Sequence, residues 1–175
     1  MKANDFVEGL RNINIEADLM KLSGLSDEFI EKMRKRYILN YRDDISVSTY
    51  PIIQLIENYD CCNLEIGMIT FNEVIEETEN YIYFGKFEID NLVIDKITGK
   101  ILMEEYDTDH IFNECAQNDT LFLKALLSVA AFLEKSSTDE KLHDNDALNI
   151  QMAEEFGDIA GGEDYYFFYK MLLGV

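Results

Sequence analysis

Residues 81–103 read Tyr-Ile-Tyr-Phe-Gly-Lys-Phe-Glu-Ile-Asp-Asn-Leu-Val-Ile-Asp-Lys-Ile-Thr-Gly-Lys-Ile-Leu-Met. Three apolar runs, at 81–87, 92–94 and 101–103, are rich in aromatic and β-branched side chains and short enough for strands. Between the last two runs, Gly99 stands where a tight hairpin with a bulge needs a positive φ. Strands joined by so few residues pair antiparallel, because a parallel connection needs a crossover of a dozen residues or more. The stretch therefore predicts a meander. Upstream, residues 64–71 (Leu-Glu-Ile-Gly-Met-Ile-Thr-Phe) alternate around Gly67 and predict one more strand with a bend.

Helices are predicted on both sides. Ser26, followed by Asp27, Glu28 and the apolar rhythm Phe29, Ile30, Met33, Tyr37, reads as an N-capped helix. Its last turns carry Lys32, Arg34, Lys35 and Arg36, which suit the negative end of the helix dipole. Asn118 or Asp119 caps a helix running to about Lys135, apolar on nearly every face and so expected to be buried against the sheet. A polar helix follows from about Asp139 to Phe156, with a break at Gly157 and Gly161-Gly162. An aromatic-rich helix, residues 165–173, ends the chain. Helix, antiparallel meander and helices again make an α+β class, a single antiparallel sheet flanked by helices. Residues 1–138 read as the domain and 139–175 as a C-terminal helical extension packed on it.

Charge narrows the partners. Thirty-five acidic residues against fifteen basic ones give a net charge of −20 over 175 residues. Such a field repels phosphate backbones and anionic headgroups, so neither nucleic acid nor a membrane is an expected partner. It attracts a basic protein and speeds encounter with one. Residues 1–56 hold nine acidic and eight basic side chains, whereas 57–119 hold sixteen and three. Residues 139–175 hold nine and two, so these two segments supply the field and a basic partner is drawn to their side. Three cysteines without regular spacing, and an N-terminus with Asp5 and Glu8 where a leader would be apolar, predict a soluble protein of a reducing, cytoplasmic compartment.

Catalytic motifs are not expected. Thr98-Gly99-Lys100 lacks the glycine of a phosphate loop, Ile94 holding that position, and Ile101 replaces its hydroxyl residue. Asp144-Asn145-Asp146 opens like a calcium loop, but Asn149 occupies the sixth position, where glycine is needed. Cys61-Cys62 lacks zinc-ligand spacing. No metal and no cofactor is predicted. His110 and His143 are the two histidines. The one catalytic arrangement worth carrying is a hydrolase built on His110 with Asp107 and Asp109.

The runs 81–87 and 92–95, the turn Thr98-Gly99-Lys100-Ile101, the acidic Glu104-Glu105-Tyr106-Asp107 and the Phe- and Leu-rich Asn118–Leu126 resemble, in that order, the SUKH superfamily (SMI1/KNR4-like domains). Residues 66–71 resemble its short glycine-containing strand. The resemblance covers roughly residues 26–135; the absence of tryptophan and the single proline depart from it. It implies one antiparallel sheet flanked by helices. It also implies a binding function, since bacterial members are regarded as immunity proteins that neutralise polymorphic toxins such as nucleases or deaminases. A nuclease site is basic because it grips phosphate, so an acidic protein can plug it. On this reading the partner-binding candidates are Glu88, Asp90, Glu104, Glu105, Asp107 and Asp109. A cytoplasmic adaptor without a toxin partner is the alternative that the same fold permits.

Overall fold

Six strands form the meander. The computed structural model describes residues 1–22, 24–42, 47–139, 142 and 145–175. In it β1 (Glu65–Ile66), β2 (Ile69–Glu77), β3 (Tyr81–Phe87), β4 (Asp90–Asp95), β5 (Ile101–Glu104) and β6 (Ile111–Ala116) make one antiparallel sheet in sequential order. The β4–β5 hairpin forms as its sequence predicts. Gly99 adopts φ +74°, and the Asp95 carboxylate accepts from the Ile97 amide at 2.8 Å and from Thr98 Oγ1 at 2.6 Å.

The sheet departs from the sequence expectation in one strand and adds another. Residues 64–71 are not one bent strand but a hairpin, with Ile66 paired to Ile69 across Gly67 and Met68. Gly67 has φ +59° at the first central position, which reverses the chain instead of bending it. Residues 111–116, to which the sequence assigned no element, form the edge strand β6 against β5. Their polar Asn113 and Glu114 conceal the alternation, and bulges break the register on either side of Leu102–Met103.

Among the described residues the helices are α1 (Ala3–Arg11), α2 (Ala17–Leu22), α3 (Asp27–Arg36), α4 (Pro51–Asn58), α5 (Asp119–Ser136), α6 (Asp146–Ala160) and α7 (Tyr166–Leu173). Capping sets their starts. Ser26 accepts from the Phe29 amide, Asn118 from Leu121 and Asn145 from Leu148, each at 3.0–3.2 Å. The polar helix thus begins at Asp146 rather than Asp139, and part of the predicted start (140, 141, 143, 144) lies outside the described residues. Gly157 is not a break. It lies inside α6 against the Tyr166 ring of α7, where a Cβ would collide, so the two helices approach closely.

One face of the sheet carries the core. Ile69, Phe71, Ile82, Phe84, Leu92, Ile94, Ile101 and Met103 point to the same cluster as Phe122, Leu126 and Val129 of α5. The C-terminal segment belongs to that cluster, through Ala153, Phe156, Phe168, Tyr169 and Leu172. Phe122 lies 5.8 Å from Phe84 and 6.1 Å from Phe168, and Phe168 lies 5.6 Å from Phe87. Such ring pairs add about 0.5–1.5 kcal/mol each beyond the area they bury. α1 buries Ala3, Phe6, Val7 and Leu10, a helical stripe. No helix among the described residues is long and apolar enough to cross a membrane.

Candidate protein-binding surface

The antiparallel order brings the turns after β1, β3 and β5 to one end of the sheet. Backbone and side-chain bonds join them. The Glu88 amide donates to Met68 O at 2.9 Å, linking the β3–β4 turn to the β1–β2 turn. The Tyr106 amide donates to Asp90 Oδ1 at 2.9 Å, linking it to the β5–β6 turn. That last turn closes through Glu105 N to His110 O at 2.9 Å and through Thr108 Oγ1 to Glu105 Oε2 at 2.9 Å.

Five of the six candidates, Glu88, Asp90, Glu105, Asp107 and Asp109, therefore share this end. Among the described residues the only non-glycine positions with positive φ are three of them: Glu88 (53°), Asp107 (64°) and Asp109 (28°). An L-residue held there is strained, and such strain concentrates at functional turns. Among these carboxylates stand two exposed apolar side chains, Ile89 (65%) and Tyr106 (56%).

Glu104 behaves differently. It is 3% exposed, on the sheet face opposite the core. Tyr83, Val93, Leu102 and Glu114 form one cross-strand row on that face, with Lys86, Asn91 and Glu104 in the next. Glu104 Oε1 accepts from the Tyr83 hydroxyl at 3.0 Å and Oε2 from Asn91 Nδ2 at 3.1 Å. Burial and the Glu104 carboxylate push the Tyr83 hydroxyl up to about 12, so it stays a donor at neutral pH. Val93 and Leu102 are buried, at 0% and 7% exposure, outside the helix-side core. Glu104 is thus positioned beneath the surface that its neighbours present.

The sequence reading missed Tyr83, Lys86, Ile89, Asn91 and Tyr106. The alternation of 81–84 does carry a signal, since Tyr81 and Tyr83 must face away from Ile82 and Phe84. Nothing local points to Lys86, whose ammonium lies 5.8 Å from the Tyr106 ring centre.

Of the hydrolase candidates, His110 is exposed on the same turn. Its ring has no hydrogen-bond partner among the described residues, although a general base needs an orienting group. His143 and Asp144 lie outside the described residues. The described residues hold no group of three potential metal ligands, and Cys61, Cys62 and Cys115 are free thiols. Of the basic residues of α3, Arg36 is turned inward, 3.8 Å from the buried Glu134 carboxylate. No protein-family model, no curated protein and no solved structure matches this chain.

Proposed function

We propose that this protein is a non-enzymatic, acidic binding domain of the immunity type, which captures a basic toxin domain on the turn end of its sheet. The observation that carries the proposal is the convergence of Glu88, Asp107 and Asp109, each at positive φ, around exposed Ile89 and Tyr106. A strained acidic rim around apolar tips fits an interface with an apolar centre and a polar edge. The net charge of −20 supplies long-range attraction to a basic surface. The toxin, a nuclease or deaminase, enters through the resemblance of residues 26–135 to SUKH domains.

The test is capture of the products of adjacent genes by tagged protein at low and high salt. Recovery of one basic toxin-like domain, lost when Glu88, Glu105 and Asp107 are reversed to Lys but kept when Glu8 on α1 is reversed, supports the reading. Recovery of unrelated cellular proteins, insensitive to those reversals, would replace it with the adaptor.

A further inference from the structure

An open cleft of about 890 Å³ lies between α3 and the start of the sheet. α3 lines it with Phe29, Lys32, Met33 and Lys35, and Leu64, Glu65 and Thr70 line it from the other side. Ile30 is the one buried residue of α3, whereas Phe29, on the cleft, stays 45% exposed. Lys32 and Lys35 lie one turn apart on the helix and are both exposed. Among the described residues neither has an ion-pair partner. The acids of the same wall do not cancel them. Glu31 is bonded to Arg34 at 3.3 Å, and Glu28 sits in the first turn, where it offsets the positive end of the helix dipole.

The turn end of the sheet adjoins this cleft and is its opposite in charge. Thr70, on the cleft wall, pairs with Lys86 on β3, two residues before Glu88. The Glu88 amide in turn donates to Met68 O at 2.9 Å, on the hairpin that carries Glu65 and Thr70. Ile89 is the tip of the β3–β4 turn, 65% exposed between the carboxylates of Glu88 and Asp90. It does not line the cleft of its own molecule. An apolar tip flanked by carboxylates therefore stands next to a partly apolar cleft flanked by ammonium groups.

We infer that two copies of this chain form a reciprocal dimer, the Glu88–Ile89 tip of each seated in the α3 cleft of the other. The inference goes beyond the proposed function, since it uses the same turn end but requires no toxin. Two complementary patches that adjoin on one surface can meet twice about a two-fold axis, which closes the assembly at two copies. Ile89 against Phe29 and Met33 supplies an apolar centre, and Glu88 against Lys32 and Lys35 a polar rim. Clefts of about 300–1,000 Å³ take drug-sized ligands, so this one has room for the side chains of a hairpin tip. The net charge of −20 does not forbid the encounter. Residues 1–56, which include α3, hold nine acidic and eight basic side chains and so repel an acidic tip little. Charges farther apart than about 8 Å are largely screened at physiological ionic strength.

The experiment is sedimentation velocity of the full-length protein at physiological salt over a series of concentrations. A dimer that dissociates on dilution is expected, with no larger species. Lys32→Glu with Lys35→Glu should weaken dimerisation at least tenfold, and so should Glu88→Lys with Asp107→Lys, Asp107 being on the neighbouring turn. The second pair of changes takes the net charge from −20 to −16, two units for each reversal, so relief of general repulsion alone would strengthen association instead. An equimolar mixture of the two variants should dimerise again, because the reversed tip then faces the reversed cleft while the native tip faces the native cleft. That recovery also shows that both variants are folded. A protein monomeric at every concentration would overturn the dimer. A dimer indifferent to both pairs of reversals, or variants that do not recover on mixing, would overturn the assigned interface. Capture of a basic partner by a protein that never dimerises would defeat the dimer alone. A dimer that behaves as described but captures no basic partner would defeat the immunity reading alone.

Discussion

The Tyr37 hydroxyl donates to Glu134 Oε1 at 2.9 Å, joining the end of α3 to the last turn of α5 across 97 residues of chain. Both side chains are buried, and Glu134 Oε2 has no hydrogen-bond partner. Burial and the facing carboxylate push the Tyr37 hydroxyl well above its ordinary range, so it is a donor at neutral pH. Removing that donor leaves a buried carboxylate with only the Arg36 guanidinium, 3.8 Å away. Tyr37→Phe should therefore destabilise the fold by about 1–3 kcal/mol, as unsatisfied buried acceptors do. Urea unfolding checks this. Adding Glu134→Leu to Tyr37→Phe should recover most of the loss, because removing both polar partners removes the unmet desolvation. A double variant less stable than the single one would contradict this account.

Gly85 faces a rigid obstacle. A Cβ at this position would run into the carbonyl oxygen of Thr70, a backbone atom of the neighbouring strand that cannot swing aside. The register also shifts between Tyr83 and Gly85, so the residue sits at a bulge. Gly85→Ala should cost about 1–3 kcal/mol through displaced backbone, the usual range for overpacking. Thermal unfolding measures it, and a variant as stable as the parent would show that the sheet can part there at no cost.

Asp119 gives a pH dependence. It starts α5, is 7% exposed, and its Oδ2 accepts from the Ile52 amide in the first turn of α4 at 3.4 Å. Burial raises its carboxyl above the ordinary value, outweighing the amide bonds that pull it down. An acid with a raised folded pKa binds its proton more tightly in the folded state. This group's contribution therefore grows as pH falls through the folded value, levels off below the unfolded one near 3.8, and is unfavourable at neutral pH. Asp119→Asn keeps an acceptor for Ile52 and removes the ionised form. It should raise the melting temperature at pH 7, with the advantage shrinking as pH approaches 4. A constant difference across that range would refute the assignment.

Glu88 separates stability from binding. Its φ of 53° strains an L-residue, a conformation costing about 1–2 kcal/mol, partly offset in the glycine variant by glycine's greater entropy loss. Glu88→Gly should therefore raise stability, by up to about 1 kcal/mol, while slowing association with a basic partner several-fold at low salt. Chemical unfolding and stopped-flow association read the two effects independently. Loss of stability together with loss of binding would mean that the glutamate holds the turn rather than the partner.

Much of the fold was legible because its signals are local. The alternation of residues 81–84, the turn at Gly99 and the Asn118 cap each depend on neighbours within a few positions, and each appears where the chain predicts it. The hairpin within residues 64–71 was misread because one glycine serves either a bend or a reversal, and strand β6 went unassigned because an edge strand needs no strict alternation. The acidic candidates were chosen as a group by charge and by their place after the strands, and that five of them share one end of the sheet follows from its antiparallel order. That Glu104 differs from Glu105 was not legible, since adjacent glutamates look alike until a register assigns their faces.

The sequence by itself determined the α+β class, the antiparallel order and the sign of the electrostatic field, because periodicity, turn chemistry and net charge are properties of short stretches or of simple sums. Only the tertiary structure decided that Tyr83 meets Glu104 across 21 residues and that Asp90 pins Tyr106 across 16. It also decided that the strained acidic turns share one end of the sheet. Those relationships depend on strand register and burial, which are set by contacts between distant segments and vanish when any one segment is read alone.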